Sequence, residues 1–356
     1  MLKDVYLRNA LRILLTMLIL YMANKLSFLF TPVFSVAFLI LAPVVIAGFF
    51  YYILRPLIHY MDKLHIRRMI SVLLIYLFAA VASAVFMIWI WPSLQEQAVS
   101  FAENAPDMIQ NARIALEELR RHPFWAGVIP EQSDLLNRVS EFLDHFINLA
   151  INSISNWMTT ITNIVLVVST VPIVLYYMLK EGEKFRTGLG NLVPHHYRSD
   201  VQIMLHDIDK ALGGFIMGRF IVTFLMSILI YAGFLIIDQP YPLLMTLISA
   251  IFNFIPYFGP IISTIPIVIV AFIDSPVTAL WSLVIIIVAQ QIESNVFSPV
   301  VYGKSMDLHP LSAVLVSIAG VKVGGFWGLL LAIPVYMVVK VLLRRAYSVM
   351  MLKRLE

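Results

Sequence analysis

The stretch LLMTLISAIFNFIPYFGPIISTIPIVIVAFI, residues 243–273, decides how this chain folds. Its 31 residues carry no charge. A helix needs about 20 apolar residues to cross a hydrocarbon core of roughly 30 Å, so the tract is too short for two complete crossings and a loop between them. In its middle, NFIPYFGP (253–260) brings together two prolines and a glycine. Each proline removes a backbone donor, which argues against an uninterrupted helix. The flanking strings DQPYP, from Asp238, and DSP, from Asp274, read as turns at a membrane surface. The spacing therefore predicts a re-entrant hairpin with Pro256, Gly259 and Pro260 at its turn. Non-helical backbone at that depth survives only inside protein or beside a water-filled cavity.

The rest of the chain supports a bilayer as the solvent. Of 356 residues, 60% are hydrophobic and 13% charged, against about 45–50% and about 25% in soluble domains. The mean hydropathy is +0.88. This is the composition of an all-α polytopic membrane protein, and it disfavours a soluble enzyme, a nucleic-acid binder or a secreted disulfide scaffold. Apolar runs of spanning length lie near 11–30, 33–54, 69–91, 157–179 and 215–237, followed by a broken apolar tract over 243–343. The first run follows Lys3, Arg8 and Arg12 and has no small-residue cleavage site after it, so it reads as a retained span. There is no cysteine, hence no disulfide, thiolate nucleophile or Cys-bound metal.

Charge sets the expected orientation. Segment 92–150 holds four basic and nine acidic residues, a balance of −5, which leaves +9 for the remainder of a chain at +4. Basic clusters fall instead at the N-terminus, at 55–68, at 180–210 and at 344–354. The positive-inside rule puts those four in the cytoplasm and 92–150 outside. The expected organisation is spans over 1–91, an extracytoplasmic amphipathic segment at 92–150, and spans over 151–237 that include a cytoplasmic amphipathic linker at 180–214. A hairpin–span–hairpin region at 238–343 and a basic tail at 344–356 follow. Within the outer segment, apolar residues at alternating four- and three-residue steps predict two or three amphipathic helices, one starting at Pro106. Residues 196–214 carry a similar pattern, Val201, Leu205, Ile208 and Leu212 opposite Asp200, Asp207 and Asp209, and predict a helix lying along the inner membrane surface.

The pattern of 243–273 recurs with opposite polarity. A span near 277–297 returns to the cytoplasm, and tract 311–343 breaks at AGVKVGGFWG (319–328). Because it must end beside Arg344 and Arg345, it predicts a second hairpin with Gly320, Gly324 and Gly325 at the turn. About eight membrane segments result, including two broken or re-entrant hairpins of opposite orientation. Such hairpins flanking a polar-faced helix point to a transport site within the membrane.

From Phe220 to Gly303 there is no Lys or Arg, and the acids are Asp238, Asp274 and Glu293. Glu293 stands out, because a charge at a helix centre costs roughly 3 kcal/mol on insertion scales and usually faces a bundle interior. Gln290, Gln291 and Asn295 extend a polar surface around it. Glu293 is a candidate ion or solute ligand, or a residue near the cytoplasmic interface paired with Lys304 or an amide. Lys322, beside the second turn, is a candidate ligand for an anion, a partner for Glu293, or a water-exposed residue at a shallow tip. Asn253, at the first tip, offers donor and acceptor groups for a solute or for a broken helix end. Enzyme signals fail: GKS (303–305) lacks the upstream glycine of a phosphate loop, which is Ser298 here, and no HExxH or metal-ligand spacing occurs. No basic, aromatic-interleaved patch supports nucleic-acid binding.

Several strings taken in order resemble the autoinducer-2 exporter family of bacterial membrane transporters. They are LAPVVIAGFFYYILRPL (41–57), YYMLKEGEK (176–184), NFIPYFGP (253–260), QQIESNVFSPVVYGKSMDLHP (290–310) and GFWGLLLAIPV (325–335). One departure is Arg219 in GRF (218–220), where the resemblance leads us to expect glutamine; another is Lys322 in the variable glycine-rich turn. The resemblance implies a multi-pass protein of the bacterial cytoplasmic membrane, both termini inside, without a cofactor. It implies a homo-oligomer, a pentamer, that exports a small polar solute by alternating access. Sodium- or lithium-for-proton antiport, centred on Glu293, is the alternative, and a non-transporting membrane scaffold acting through 92–150 is the second.

Overall fold

The computed structural model describes residues 27–121, 161–191, 193–302 and 309–355, with isolated positions before residue 27 and at 141. Among them every regular element is a helix. These are α1 (Ser27–Lys63), α2 (Arg68–Val85), a π-turn (Phe86–Ile90) leading into α3 (Trp91–Arg121), α4 (Ile161–Asn191), and a short 3-10 turn (His195–Tyr197) before α5 (Arg198–Ile236). Then come α6 (Pro242–Asn253), α7 (Phe258–Asp274), α8 (Pro276–Ile292), a second π-turn (Glu293–Phe297), α9 (Ser298–Tyr302) and α10 (Pro310–Leu355). Five helical stretches are long and apolar enough to cross a membrane: Ile40–Lys63, Arg68–Asn104, Arg198–Ile236, Pro276–Tyr302 and Trp327–Arg345. Three shorter apolar helices, Pro242–Asn253, Phe258–Asp274 and Pro310–Gly325, accompany them. The protein is a polytopic helical membrane protein. Leu73, Leu77, Phe78, Val81 and Trp89 on one rod, and Ile228, Ile236, Val284 and Ile287 elsewhere, are exposed, as side chains bathed in lipid must be.

Helix α5 is the spine. It touches α1, α4, α6, α8, α9 and α10. Val222, Met226, Ile230 and Phe234 recur every four residues along it and form a buried stripe. Met245 and Ile248 of α6, Ile267 and Val270 of α7, Ile286 and Ala289 of α8, and Phe101 of α3 close over that stripe. A second cluster joins Ala47 and Ile58 of α1 to Val72 and Ile75 of α2 and Leu175 and Leu179 of α4. In lipid such contacts hold by dispersion and close fit, because apolar side chains lose nothing by facing hydrocarbon instead.

Helices α6 and α7 form an antiparallel pair. At 1.5 Å per residue they are about 18 and about 26 Å long, so neither reaches across a core of roughly 30 Å. The turn between them satisfies its own backbone: Ile255 N donates to Phe252 O (2.8 Å), Phe258 N to Pro256 O (2.8 Å) and Gly259 N to Ile255 O (2.9 Å). Pro256 is buried within it, Tyr257 takes a positive φ of 67°, and Pro260 lies in the first turn of α7. A Cβ on Gly259 would run into the carbonyl of Phe252. At the root of the pair, the buried Gln239 accepts from Ser282 Oγ of α8 and donates to Ile267 O (3.5 Å).

The second hairpin lies within α10. Its backbone breaks at Gly324 (φ −135°) and Gly325 (φ 56°, ψ −134°), the latter a conformation that only glycine adopts without strain. The arms meet where Gly320 lies against Gly328, so close that a Cβ on either would overlap the other's carbonyl.

Three sequence expectations are corrected. The boundary between the runs 11–30 and 33–54 does not appear at residue 31, because α1 is continuous from Ser27 and extends through the basic residues to Lys63. Pro106 does not start a helix; α3 runs through it, since one lost hydrogen bond in a 31-residue helix is too little to end it. Residues 196–214 do not form a separate surface helix. From Arg198 they continue the fifth run without a break, because the Gly213–Gly214 pair costs only about 1 kcal/mol per glycine and the segment is held by its neighbours. Asp209 pairs with Arg55 of α1 (2.8 Å) and Asp207 with Arg345 of α10 (3.1 Å). These ion pairs gather the ends of α1, α5 and α10 on one side of the bundle, opposite the root of the first hairpin. The basic tail is helical through Leu355. Residues 122–140 and 142–160, which hold the rest of segment 92–150 and the start of the expected run 157–179, and the loop 303–308 with Lys304 lie outside the described residues.

The glycine contact in α10 gives a direct test. Gly320→Ala and Gly328→Ala should each lower the midpoint of thermal unfolding in detergent, at an overpacking cost of about 1–3 kcal/mol. Gly214→Ala, whose added methyl meets open space, should leave the midpoint unchanged or slightly raised.

Candidate functional site

The first hairpin, α5 and the break after α8 meet at one buried ion pair. Glu293 is the first residue of the π-turn Glu293–Phe297. Such turns insert an extra residue and redirect side chains, and they occur often at functional sites. Its carboxylate Oε1 accepts from Arg219 Nη1 at 2.8 Å. Arg219 sits on the buried stripe side of α5 and is 5% exposed; Glu293 is 8% exposed. The other guanidinium nitrogen, Nη2, donates to the backbone carbonyl of Asn253, the last residue of α6. A helix C-terminus carries partial negative charge and unpaired carbonyls, so Arg219 is held between a carboxylate and a helix end. The Asn253 amide in turn donates to Ser249 Oγ one turn earlier (3.3 Å).

Around this pair the polar valences are not all used. Arg219 Nε, Glu293 Oε2, Asn253 Oδ1 and Thr223 Oγ1 are buried without a hydrogen-bond partner. Thr223 lies one turn along α5 from Arg219. Tyr302, at the end of α9, packs its ring across Gly218, where a Cβ would overlap it, and its buried hydroxyl faces the Arg219 guanidinium, with Glu293 in electrostatic range. Counted from Pro276, Glu293 lies about 26 Å along α8, beyond the middle of a core of roughly 30 Å.

The sequence candidates divide between two places. Glu293 and Asn253 come together, through Arg219. Gln291 and Asn295 are exposed and bonded to each other, with Asn295 Nδ2 donating to Gln291 O (2.9 Å) and Oε1 (3.1 Å). Gln290 is half-buried. Lys322 is exposed beside the Gly324–Gly325 break and is not the partner of Glu293. Among the described residues the partner of Glu293 is Arg219, in place of the expected amide or Lys322; the alternative partner Lys304 lies outside the described residues. Arg219 carried a usable signal: it is the last cation before 84 residues without one, inside an apolar run. A buried acid needs a counter-ion, and this was the cation available at membrane depth. Thr223, Ser249 and Tyr302 had no comparable signal. Among the described residues no cluster of acids and histidines could hold a metal ion.

Comparison with known proteins fixes the family. The model for the AI-2E family transporter matches residues 13–348. The chain belongs to the AI-2E transporter family. It is 33% identical over 334 residues to the "Putative transport protein YueF" of Bacillus subtilis (strain 168), covering 93% of this chain and 90% of that one. It is 29% identical over 334 residues to "Putative transport protein YrrI" of the same organism, covering 93% of each. It is 24% identical over 308 residues to "Putative permease PerM" of Escherichia coli (strain K12), covering 85% of this chain and 86% of that one. The AI-2E protein is therefore a membrane transporter and not an enzyme, with a transported solute and the bilayer as its partners.

Breaking the pair from one side should be costly. Arg219→Met leaves a buried carboxylate without its counter-ion, a change expected to cost about 3–5 kcal/mol and to lower the thermal unfolding midpoint markedly. Arg219→Met combined with Glu293→Leu should recover most of that loss, and the two midpoints measured in one detergent decide it.

Proposed function

We propose that this AI-2E protein is a secondary transporter that exports a small polar solute, bound where α5, the tip of the first hairpin and the α8–α9 junction meet. The observation that carries the reading is the set of four unpartnered polar atoms around the Arg219–Glu293 pair, with the Tyr302 hydroxyl beside them. Buried polar groups are nearly always hydrogen-bonded, and here four on three elements are not. Arg219 Nε offers a donor, Glu293 Oε2 and Asn253 Oδ1 offer acceptors, and Thr223 and Tyr302 offer hydroxyls that serve as either. That mixture suits a solute bearing several hydroxyls, an autoinducer-2-like molecule among them. Gln290, Gln291, Asn295 and Lys322 line its route rather than its seat in this reading.

Transport would proceed by alternating access, the two hairpins and the 276–302 segment moving against the remaining spans. The positive-inside distribution supports a cytoplasmic-membrane protein with both termini inside, the first hairpin entering from outside and the second from the cytoplasm. Assembly as a homo-pentamer rests on the family resemblance. Sodium- or lithium-for-proton antiport is the second reading, favoured by the free oxygen of Glu293. Against it, a cation binding that carboxylate would have to displace a guanidinium already 2.8 Å away.

Everted vesicles containing the protein should accumulate labelled autoinducer-2, with Thr223→Val and Asn253→Ala lowering the initial rate at least tenfold. In liposomes holding a pH dye, external sodium, lithium or potassium should move no protons through the native protein or Glu293→Gln. Cation-dependent proton movement that Glu293→Gln abolishes would place antiport first.

A further inference from the structure

Helix α6 begins without a cap of its own. Its N-cap residue, Tyr241, is in the left-handed region (φ 53°) and makes no side-chain capping bond. Pro242 has no N–H to satisfy, and Met245 N already donates to Tyr241 O (2.9 Å). The deficit that every helix start carries therefore falls on two groups, Leu243 N and Leu244 N. Both donate to one atom, Gln97 Oε1 of α3, at 3.1 Å each. Helix α8, which starts at the same side of the bundle, contrasts with it, because Ser275 of its own chain segment accepts from Val277 N (3.1 Å).

The same face of α3 holds the root of the hairpin twice more. Asn104 Nδ2 donates to the Tyr241 hydroxyl (3.1 Å), which donates to Ser100 O (3.4 Å). The Tyr241 ring meets Phe101 edge-on, with centroids 5.5 Å apart. Phe101 is buried, but Asn104 is exposed, and Gln97, Ser100 and Tyr241 are only partly buried. Water can take over each of these bonds when they part. Contacts of that kind bias an equilibrium without locking it.

We propose that Gln97 is the positioning residue of the outer gate: by capping α6 from α3 it holds the first hairpin closed over the Arg219–Glu293 site, and its release accompanies opening. The outer end of the third span then has a task in the transport cycle. The proposal does not depend on which solute the site takes, since access can be read without one.

The chain has no cysteine, so a single introduced thiol reports on access. Thr223→Cys places one at the site and Ser71→Cys places one in the separate buried cluster of α1, α2 and α4. Reaction with a membrane-impermeant maleimide from the outside is followed in the full-length protein in liposomes. Gln97→Leu should raise the labelling rate at Thr223→Cys about tenfold, as loss of a helix cap shifts an opening equilibrium. Gln97→Glu keeps an acceptor oxygen at the helix start and should return the rate to within about twofold of native. Tyr241→Phe, which removes only the hydroxyl, should raise it in the same direction by a smaller factor. An unchanged rate in Gln97→Leu and Tyr241→Phe, no rescue by Gln97→Glu, or an equal rise at Ser71→Cys would each overturn the proposal. Failure of the solute reading appears separately, in the vesicle uptake of the native protein.

Discussion

Arg219 and Glu293 form an ion pair between two otherwise uncharged stretches of membrane helix, and the arrangement of the last third of the chain follows from it. A lone carboxylate at that depth would cost several kcal/mol; a guanidinium beside it offsets the charge, but only if a helix carrying the cation is brought against the helix carrying the acid. That condition fixes α5 against the α8–α9 junction. The second arm of the guanidinium reaches the carbonyl of Asn253, which fixes the tip of α6 at the same point. One side chain thus sets the depth of its own helix against two elements that lie 34 and 74 residues away in sequence.

The backbone obeys the same rule. With no water in the hydrocarbon core, each broken helix must satisfy the groups its break exposes. The α6–α7 turn does so with four short-range bonds inside 251–259. At the α10 break Gly324 and Gly325 are exposed, and below it glycine packs on glycine, so that two helical arms approach without side chains between them. The two hairpins turn by different means, prolines with a local bond network in one and glycines in the other, although both halve an apolar tract.

Much of the architecture is legible in the sequence, for a physical reason. The arithmetic of tract 243–273 against the bilayer thickness requires a hairpin whatever the tertiary contacts, and DQPYP and NFIPYFGP mark its root and its tip. Glu293 is conspicuous because a charge in an apolar run is expensive wherever it sits. What local reasoning misses is set by packing. The partner of Glu293 lies on another helix 74 residues away, and although Arg219 stands out as a cation inside an apolar run, nothing short-range pairs the two. Gln291 and Asn295, four residues apart, bond to each other on the exposed side while Glu293 between them is buried, so the inferred polar surface splits in two. Pro106 reads as a helix start by propensity and 196–214 as a helix of its own by its amphipathic pattern, yet α3 runs through Pro106 and α5 runs unbroken from Arg198 to Ile236, since the penalty of about 1–3 kcal/mol for a Gly or Pro is smaller than what surrounding contacts return.

The same ion pair sets the condition that the proposed transport cycle would have to meet. Arg219 spends one nitrogen on the hairpin tip and another on Glu293, so separating α6 from α8 costs it an acceptor. In a dry interior that loss would be prohibitive, because each unpaired buried group costs about 1–3 kcal/mol and more when charged. In the proposed cycle a solute carrying hydroxyls would alter the balance, supplying acceptors to Arg219 and donors to Glu293 Oε2 and Asn253 Oδ1, which lack partners here. Only differential affinity for two states can shift their populations, and under that proposal the difference would have a structural origin. The four polar atoms of Arg219, Thr223, Asn253 and Glu293 that are unsatisfied here would be satisfied by the solute, which would free the hairpin tip from its dependence on a single guanidinium. Coupling between occupancy and hairpin position would then need no distant relay; it would follow from hydrogen-bond valences at one point.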